Sequence, residues 1–354
     1  MKYKNLALVL ALGLSLSACG QKEDNKAEAP SNEPKTEESL DEPAKEENKD
    51  ESASSDSKAE ETVVYTSFYP IYNLTKQIAG DKMEVKSFTN LKAESHGWEP
   101  SAKDIAELSS SNLMFINGAG MEEWEDSVKD STDVDIINTS ENVDLIKADL
   151  DHAHEEDQED HDHSQEENHE DEDDHEHNHG EFDPHTWLSP KNGIIQAKAI
   201  AEKLSEVDPG NKDYYMANYQ KIEDELNAII DEYSKKFEES ENKNFLVNHK
   251  AFSYIARDFN LNQIALTSLT STDDTDAKTL KEAAEKAKEL NINTVFYELG
   301  GTDKSAKTLA GEIAGETKAL NTLELATDED LDNNKTYQEL IKYNLEEIYK
   351  SLER

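Results

Sequence analysis

The chain has 354 residues, with 80 Asp and Glu against 36 Lys and Arg, giving a formal net charge of −44. That surplus argues against a nucleic-acid surface, because phosphate contacts need clusters of Lys and Arg; it suits solubility and the accumulation of cations. A single cysteine rules out a disulfide within the chain, so the folded body must be held by its core.

Lys2 and Lys4 precede an apolar run, Leu6 to Leu16, broken only by Gly13 and Ser15. A membrane-crossing helix needs about 20 apolar residues, so this run reads as a secretory signal. It ends in Leu16-Ser17-Ala18-Cys19, which resembles a lipobox. Residues 1–18 are therefore expected to be removed and Cys19 to carry the lipid anchor. Stable attachment takes more than one acyl chain, and a lipobox cysteine typically carries at least two. Residues 19–61 form an acidic tether in which Leu40 is the only large apolar side chain. Such a segment cannot bury enough surface to offset its chain entropy.

From Thr62 the pattern changes. Strands are predicted at Val63 to Thr66, Met83 to Phe88, Leu113 to Ile116 and Val134 to Asn138. Helices are predicted at Ile71 to Ala79, Ser101 to Ser109 and Glu122 to Val128. Short-spaced alternation of this kind signals a parallel α/β sheet. Residues 151–179 interrupt it with eight His and fifteen Asp or Glu, and no Lys or Arg. Helical periodicity then runs from Gly193 to Phe237, split by Pro209. Beyond it, strands are expected at Phe245 to Val247, Ile264 to Leu269, Thr294 to Tyr297 and Ala319 to Leu323. Helices are expected at Lys250 to Asp258, Ala277 to Leu290, Lys304 to Ala314 and Thr336 to Leu352. The expected architecture is two α/β lobes, residues 62–190 and 243–354, each a parallel sheet flanked by helices. Residues 191–242 would join them through a long rigid helix. Ligands of such sheets bind beyond the carboxyl ends of the strands.

Of eleven His, only His96, His185 and His249 lie in the ordered body, each where a loop meets an element. Three neutral imidazoles converging on one crevice would suit Zn²⁺, which favours nitrogen in tetrahedral geometry. His152, His154, His161, His163, His169, His175, His177 and His179 recur largely as His-x-His among acids. They are read as auxiliary weak metal sites that gather ions near the crevice, or as a solvated acidic loop.

The motifs around the three body histidines resemble those of the zinc receptor lipoproteins of ABC importers, the cluster A-I solute-binding proteins. The resemblance rests on Ser67-Phe68-Tyr69-Pro70-Ile71-Tyr72, on His96 through Glu99-Pro100, and on Asn117-Gly118 followed by Glu123-Trp124. It continues in Asp183-Pro184-His185-Thr186-Trp187-Leu188, Asn248-His249-Lys250-Ala251-Phe252-Ser253-Tyr254, Leu320-Asn321-Thr322-Leu323-Glu324 and Thr336-Tyr337 through Asn344-Leu345. It covers Thr62 to Arg354 apart from the His-rich segment. Glu94-Ser95-His96-Gly97 departs from it, since relatives often have Gly or Asp near that His. The turn is expected to differ there while the ligand stays.

The resemblance implies that His96, His185 and His249 bind Zn²⁺ with Glu324 as fourth ligand. Glu298 or a water are the competitors for that position. Manganese receptors of the superfamily carry a carboxylate where His249 stands, so three imidazoles favour zinc. It further implies a monomeric, lipid-anchored extracytoplasmic receptor, and the long acidic tether points to a Gram-positive cell surface. That receptor would hand Zn²⁺ to a permease and, through it, to an ATPase. Protonation below about pH 6.5 would weaken binding, since ligating His must be neutral. The alternatives are a manganese or other transition-metal receptor of the same family, or a surface adhesin. An enzyme is not expected, for the chain has no His-Glu-x-x-His and no Gly-x-Ser-x-Gly, and Gly118-Ala119-Gly120 is too slight for a phosphate loop.

Overall fold

A computed structural model describes residues 62–148, 180–267 and 275–353. The first sheet is assembled from β1 (Val63–Thr66), β2 (Glu84–Ser87), β3 (Leu113–Ile116) and β4 (Asp135–Asn138). All pairs are parallel, in the order β2-β1-β3-β4. The helices between these strands are α1 (Tyr69–Ala79), α2 (Ala102–Leu108) and α3 (Glu125–Ser131). The second sheet takes β5 (Asn244–Val247), β6 (Asn262–Ala265), β7 (Thr294–Glu298) and β8 (Glu316–Leu320). Its order is β6-β5-β7-β8, again all parallel, so the second lobe repeats the topology of the first.

Burial explains which strands are apolar. β3 lies inside its sheet and reads Leu-Met-Phe-Ile, with every residue buried. The edge strands β4, β6 and β8 are largely half-exposed and read Asp-Ile-Ile-Asn, Asn-Gln-Ile-Ala and Glu-Thr-Lys-Ala-Leu. A parallel strand covered on both faces needs a continuous apolar run, whereas an edge strand does not. Two expected strands accordingly sit earlier than predicted. β6 ends at Ala265, after which Leu266 and Thr267 both donate to Asn248 O, beyond the end of β5. β8 begins at Glu316, so Leu320 closes the strand and Leu323 belongs to the turn after it.

Between the sheets run α4 (Pro190–Val207) and α5 (Lys212–Glu239), separated by a 3₁₀ turn at Pro209–Asn211. Ser189 starts α4 by accepting the N–H groups of Lys191 and Asn192, with Pro190 in the first turn, where no N–H is needed. The 28 residues of α5 span about 42 Å at 1.5 Å each. Its buried stripe, Tyr215, Tyr219, Ile222, Leu226, Ile229, Tyr233 and Phe237, has the three-and-four spacing of a single helix face. One continuous core joins this stripe to α1, to β5, to α6 (Ser253–Asp258) and to the terminal helix α10, whose range is Tyr337–Leu352. The remaining helices are α7 (Ala277–Glu289), α8 (Lys304–Glu312) and the short α9 (Asp328–Asp332). The last of these was not anticipated, although Thr327 and Asp330 make a capping box at its start.

Candidate metal centre

The four residues singled out from the sequence meet between the lobes, each beyond the carboxyl end of a strand. His96 lies in the loop between β2 and α2. That loop packs through Trp98 against Phe88 and Trp124, with ring centroids 5.3 and 6.0 Å away. Ser101 and Asp104 close it with a reciprocal capping box. His185 lies between β4 and α4, immediately before a 3₁₀ turn at Thr186–Leu188. His249 follows β5 by two residues, and Glu324 follows β8 by four.

The His185 segment is fixed by a buried polar network. Asn117, at the end of β3, donates to Pro184 O at 3.0 Å and accepts from the Thr186 hydroxyl at 2.7 Å and from the Gln196 amide at 2.9 Å. Glu122 in turn accepts the N–H groups of Asn117 and Gly118, both at 2.8 Å. Burial pushes the Glu122 carboxyl up to about 7 against the pull of those donors. Tyr254 of the second lobe donates to Asp183 O at 2.8 Å. The Trp187 indole donates to Thr322 O at 2.7 Å, and so ties the His185 segment to the turn that carries Glu324. In that turn Leu323 is held at φ +59°, a left-handed conformation unfavourable for a leucine. Asn321 Oδ1 accepts its N–H at 2.8 Å, and Asn321 is itself held at both backbone polar atoms by Asn344.

His185, His249 and Glu324 are 0%, 1% and 2% exposed. The ligand atoms of the three histidines lie within 4.8 Å of one another. His96 Nε2 is 3.2 Å from His185 Nε2; Glu324 places Oε2 3.5 Å from the first of these nitrogens and Oε1 3.5 Å from the second. Tetrahedral zinc with bonds of roughly 2.0–2.1 Å separates its ligand atoms by about 3.3 Å, so the spacing fits such a site. Glu324 Oε1 is buried without a hydrogen-bond partner, a vacancy in bonding that a cation would fill.

Two further carboxylates hold the rings. Asp183 Oδ1 accepts the His185 backbone N–H at 3.0 Å and meets His185 Nδ1 at 2.9 Å. Glu298 Oε1 lies 3.0 Å from His249 Nδ1. Both leave Nε2 as the nitrogen offered to a cation, the arrangement by which a carboxylate fixes a metal-binding imidazole. Glu298, the rival to Glu324 for the fourth position, stands against the far nitrogen of His249, and its ligand atom also lies within 4.8 Å of ligand atoms of His249 and Glu324. Asp183 was visible as part of a motif but carried no assigned role. The Asp-Pro-His spacing was the signal, because an Asp side chain reaches the N–H two residues on.

Charge inside the cluster is strongly coupled. Burial opposes a proton on His185, yet contacts with Asp183 and Glu324 and their negative charges push it up to about 10. For Glu324 burial opposes ionisation, but the charge of His96 and contacts with His185, His96 and Glu94 hold it well below the usual carboxylate range. Glu94 is exposed as a whole residue, while its carboxyl turns in toward Glu324. Burial of its carboxyl, then a hydrogen bond to and repulsion from Glu324, push it up to about 8. The carboxylates that favour a proton on His185 would equally favour a cation beside it. Cys19 and the eight histidines of residues 151–179 lie outside the described residues. No helix among the described residues is long and apolar enough to cross a membrane.

With the geometry in hand, relatives can be compared. The family described as ZnuA, zinc-uptake complex component A, periplasmic, matches residues 64–351. The high-affinity zinc uptake system protein ZnuA of Bacillus subtilis (strain 168) is 35% identical over 292 residues, 82% of this chain and 87% of that protein. The zinc-binding lipoprotein AdcA of Streptococcus pneumoniae serotype 4 is 31% identical over 294 residues, 80% of this chain but only 54% of AdcA. Among solved structures, a Zn(II)-bound variant of AdcAII from Streptococcus pneumoniae superposes with a TM-score of 0.67 at 29% identity, covering 82% of this chain and 98% of that one. The chain belongs to the ZnuA family of zinc-uptake components.

Proposed function

We propose that this protein is an extracytoplasmic receptor that captures Zn²⁺ between its lobes and delivers it to an ABC importer. His96, His185, His249 and Glu324 would supply the four ligands. The observation that carries this reading is the convergence of three imidazoles and a buried, unpartnered carboxylate oxygen at tetrahedral spacing. Three nitrogens favour zinc over manganese, which prefers oxygen. The position a catalytic zinc site leaves open to water is here faced by Glu324, so we read a binding protein and not an enzyme. Zinc displaces the proton held on His185, and Asp183 and Glu298 keep the receiving rings aligned. Membership of a family of zinc-uptake components supports delivery to a permease and its ATPase. A diacylglyceryl group on Cys19 would keep the receptor at the membrane, in line with the lipoprotein name of AdcA.

The test is zinc stoichiometry by elemental analysis together with competitive titration, on the apo-protein and on a His96→Ala/His185→Ala/His249→Ala variant. The reading requires one tight zinc in the first and none in the second. Equal tight zinc in both would put the site in residues 151–179. Cys19→Ala should release the protein from membranes, and retention would sink the lipid anchor.

A further inference from the structure

His96 differs from the other candidate ligands in access. Its side chain is 13% exposed, against 0% for His185 and 1% for Glu324, so an incoming cation meets His96 first. Beside it Glu94 folds its carboxylate back over the turn. Oε1 accepts the N–H of Ser95 at 3.1 Å and that of His96 at 3.3 Å. Ligand atoms of Glu94, His96 and Glu324 lie within 4.8 Å of one another. The Glu324 carboxylate is shared between the two sides: Oε2 lies 3.5 Å from His96 Nε2, and Oε1 lies 3.5 Å from His185 Nε2. Of the three overlapping ligand sets among the described residues, two share His96. The outer one has two carboxylates and one imidazole, the inner one three imidazoles, and His96 belongs to both.

We propose that Glu94, His96 and Glu324 form an outer cation subsite at the opening of the crevice, where a divalent cation is held before it passes to His185 and His249. This rests on the zinc-receptor reading. Carboxylate oxygens take a partly hydrated cation readily, whereas the buried imidazoles demand that it shed its water. Because His96 and Glu324 are common to the start and the end, the cation exchanges ligands one at a time and is never bare. Glu94 lies on the path and outside the final set. A group of that kind speeds arrival and departure equally and leaves the equilibrium where it was.

Stopped-flow zinc binding to the full apo-protein, with release followed by a chromophoric chelator, tests this on Glu94→Gln. The amide oxygen still accepts the Ser95 and His96 N–H groups, so the turn stays braced while the ionisable, cation-binding carboxyl is lost. Association and dissociation rates should both fall by about tenfold, with Kd unchanged. The effect should persist at high salt, where long-range steering is screened. Unchanged rates, or a loss that vanishes in salt, would reduce Glu94 to one acid among many and overturn the proposal. A Kd weakened in step with faster release would make it a permanent ligand, which overturns it equally. Glu94→Ala removes the brace as well and should weaken Kd through His96, separating that role from the kinetic one. Residues 151–179 are present in every protein compared, so their zinc cancels. Absence of a tight site in the wild type would bring down the receptor reading itself, and it is seen before any variant is made.

Discussion

The two lobes share a strand order and differ in what hangs from it. In the second, His249 and Glu324 stand two and four residues from a strand end, and the sheet itself positions them. In the first, His96 and His185 sit on long excursions, and each excursion has its own anchor. The His96 loop rests on an aromatic group of Tyr65, Phe88, Trp98 and Trp124, where the second lobe has an aliphatic layer of Leu246, Val295, Leu309 and Ile313. The His185 segment is held by the network of Asn117, Thr186 and Gln196. A ligand close to a strand inherits the rigidity of the sheet; one far from it needs a local core or a polar network of its own.

The sharpest way to break that contrast is to remove the deepest ligand. His185→Ala should weaken zinc binding on the order of a hundredfold or more, roughly a quarter of the free energy of a four-ligand site. Competition against a chelator measures it, and a loss under tenfold would show that the second lobe suffices. Next come the orienting carboxylates. Asp183→Asn should cost about 10–100-fold in affinity, and Glu298→Gln should fall at the lower end of that range. Asp183 is 1% exposed, while Glu298 is only half-buried, so water can replace it. The reverse ranking would refute the idea that the first-lobe ligand depends more on local support.

The pH dependence follows from His185. Its value in the metal-free protein, about 10, exceeds the ordinary value of about 6.5. The proton therefore stabilises the metal-free fold fully below about pH 6.5, and that contribution is lost as pH rises through about 10. Zinc must displace the same proton, so affinity should rise by up to about tenfold per pH unit across this window. Melting temperatures at about pH 7 and about pH 9 should fall for the metal-free protein and hold for the zinc-loaded one. A parallel fall in both would contradict it. The smallest effect concerns Tyr337, whose hydroxyl donates to Trp187 O at 2.5 Å and Ser189 O at 3.2 Å. Tyr337→Phe should cost about 1–2 kcal/mol of stability in urea unfolding, with zinc affinity reduced only slightly.

The central strands and the long helices were legible because burial on two faces, or on one stripe, leaves a pattern in the chain. Leu113 to Ile116 and the stripe of α5 are examples. Among the edge strands β2 and β4 were legible too, but β6 and β8 were misplaced, since residues such as Glu316, Thr317 and Lys318 are free to be polar where one side faces solvent. α3 starts at Glu125 and α6 at Ser253, each three residues later than expected, because the chain first completes a turn at the strand end. At the site, the histidines announced themselves by type and by motif. Glu94 did not: it lies far in sequence from Glu324, and no spacing rule links two carboxylates that meet only when the lobes do.

Trp187 deserves a last consequence. Its indole stands 5.2 Å from the His185 ring and bonds to Thr322 O, while Trp98 and Trp124 pack on each other elsewhere. An imidazolium beside an excited indole draws off its electron and quenches its emission. Exchanging the His185 proton for zinc should therefore brighten this one tryptophan, giving the protein an optical signal of its own loading without any added dye.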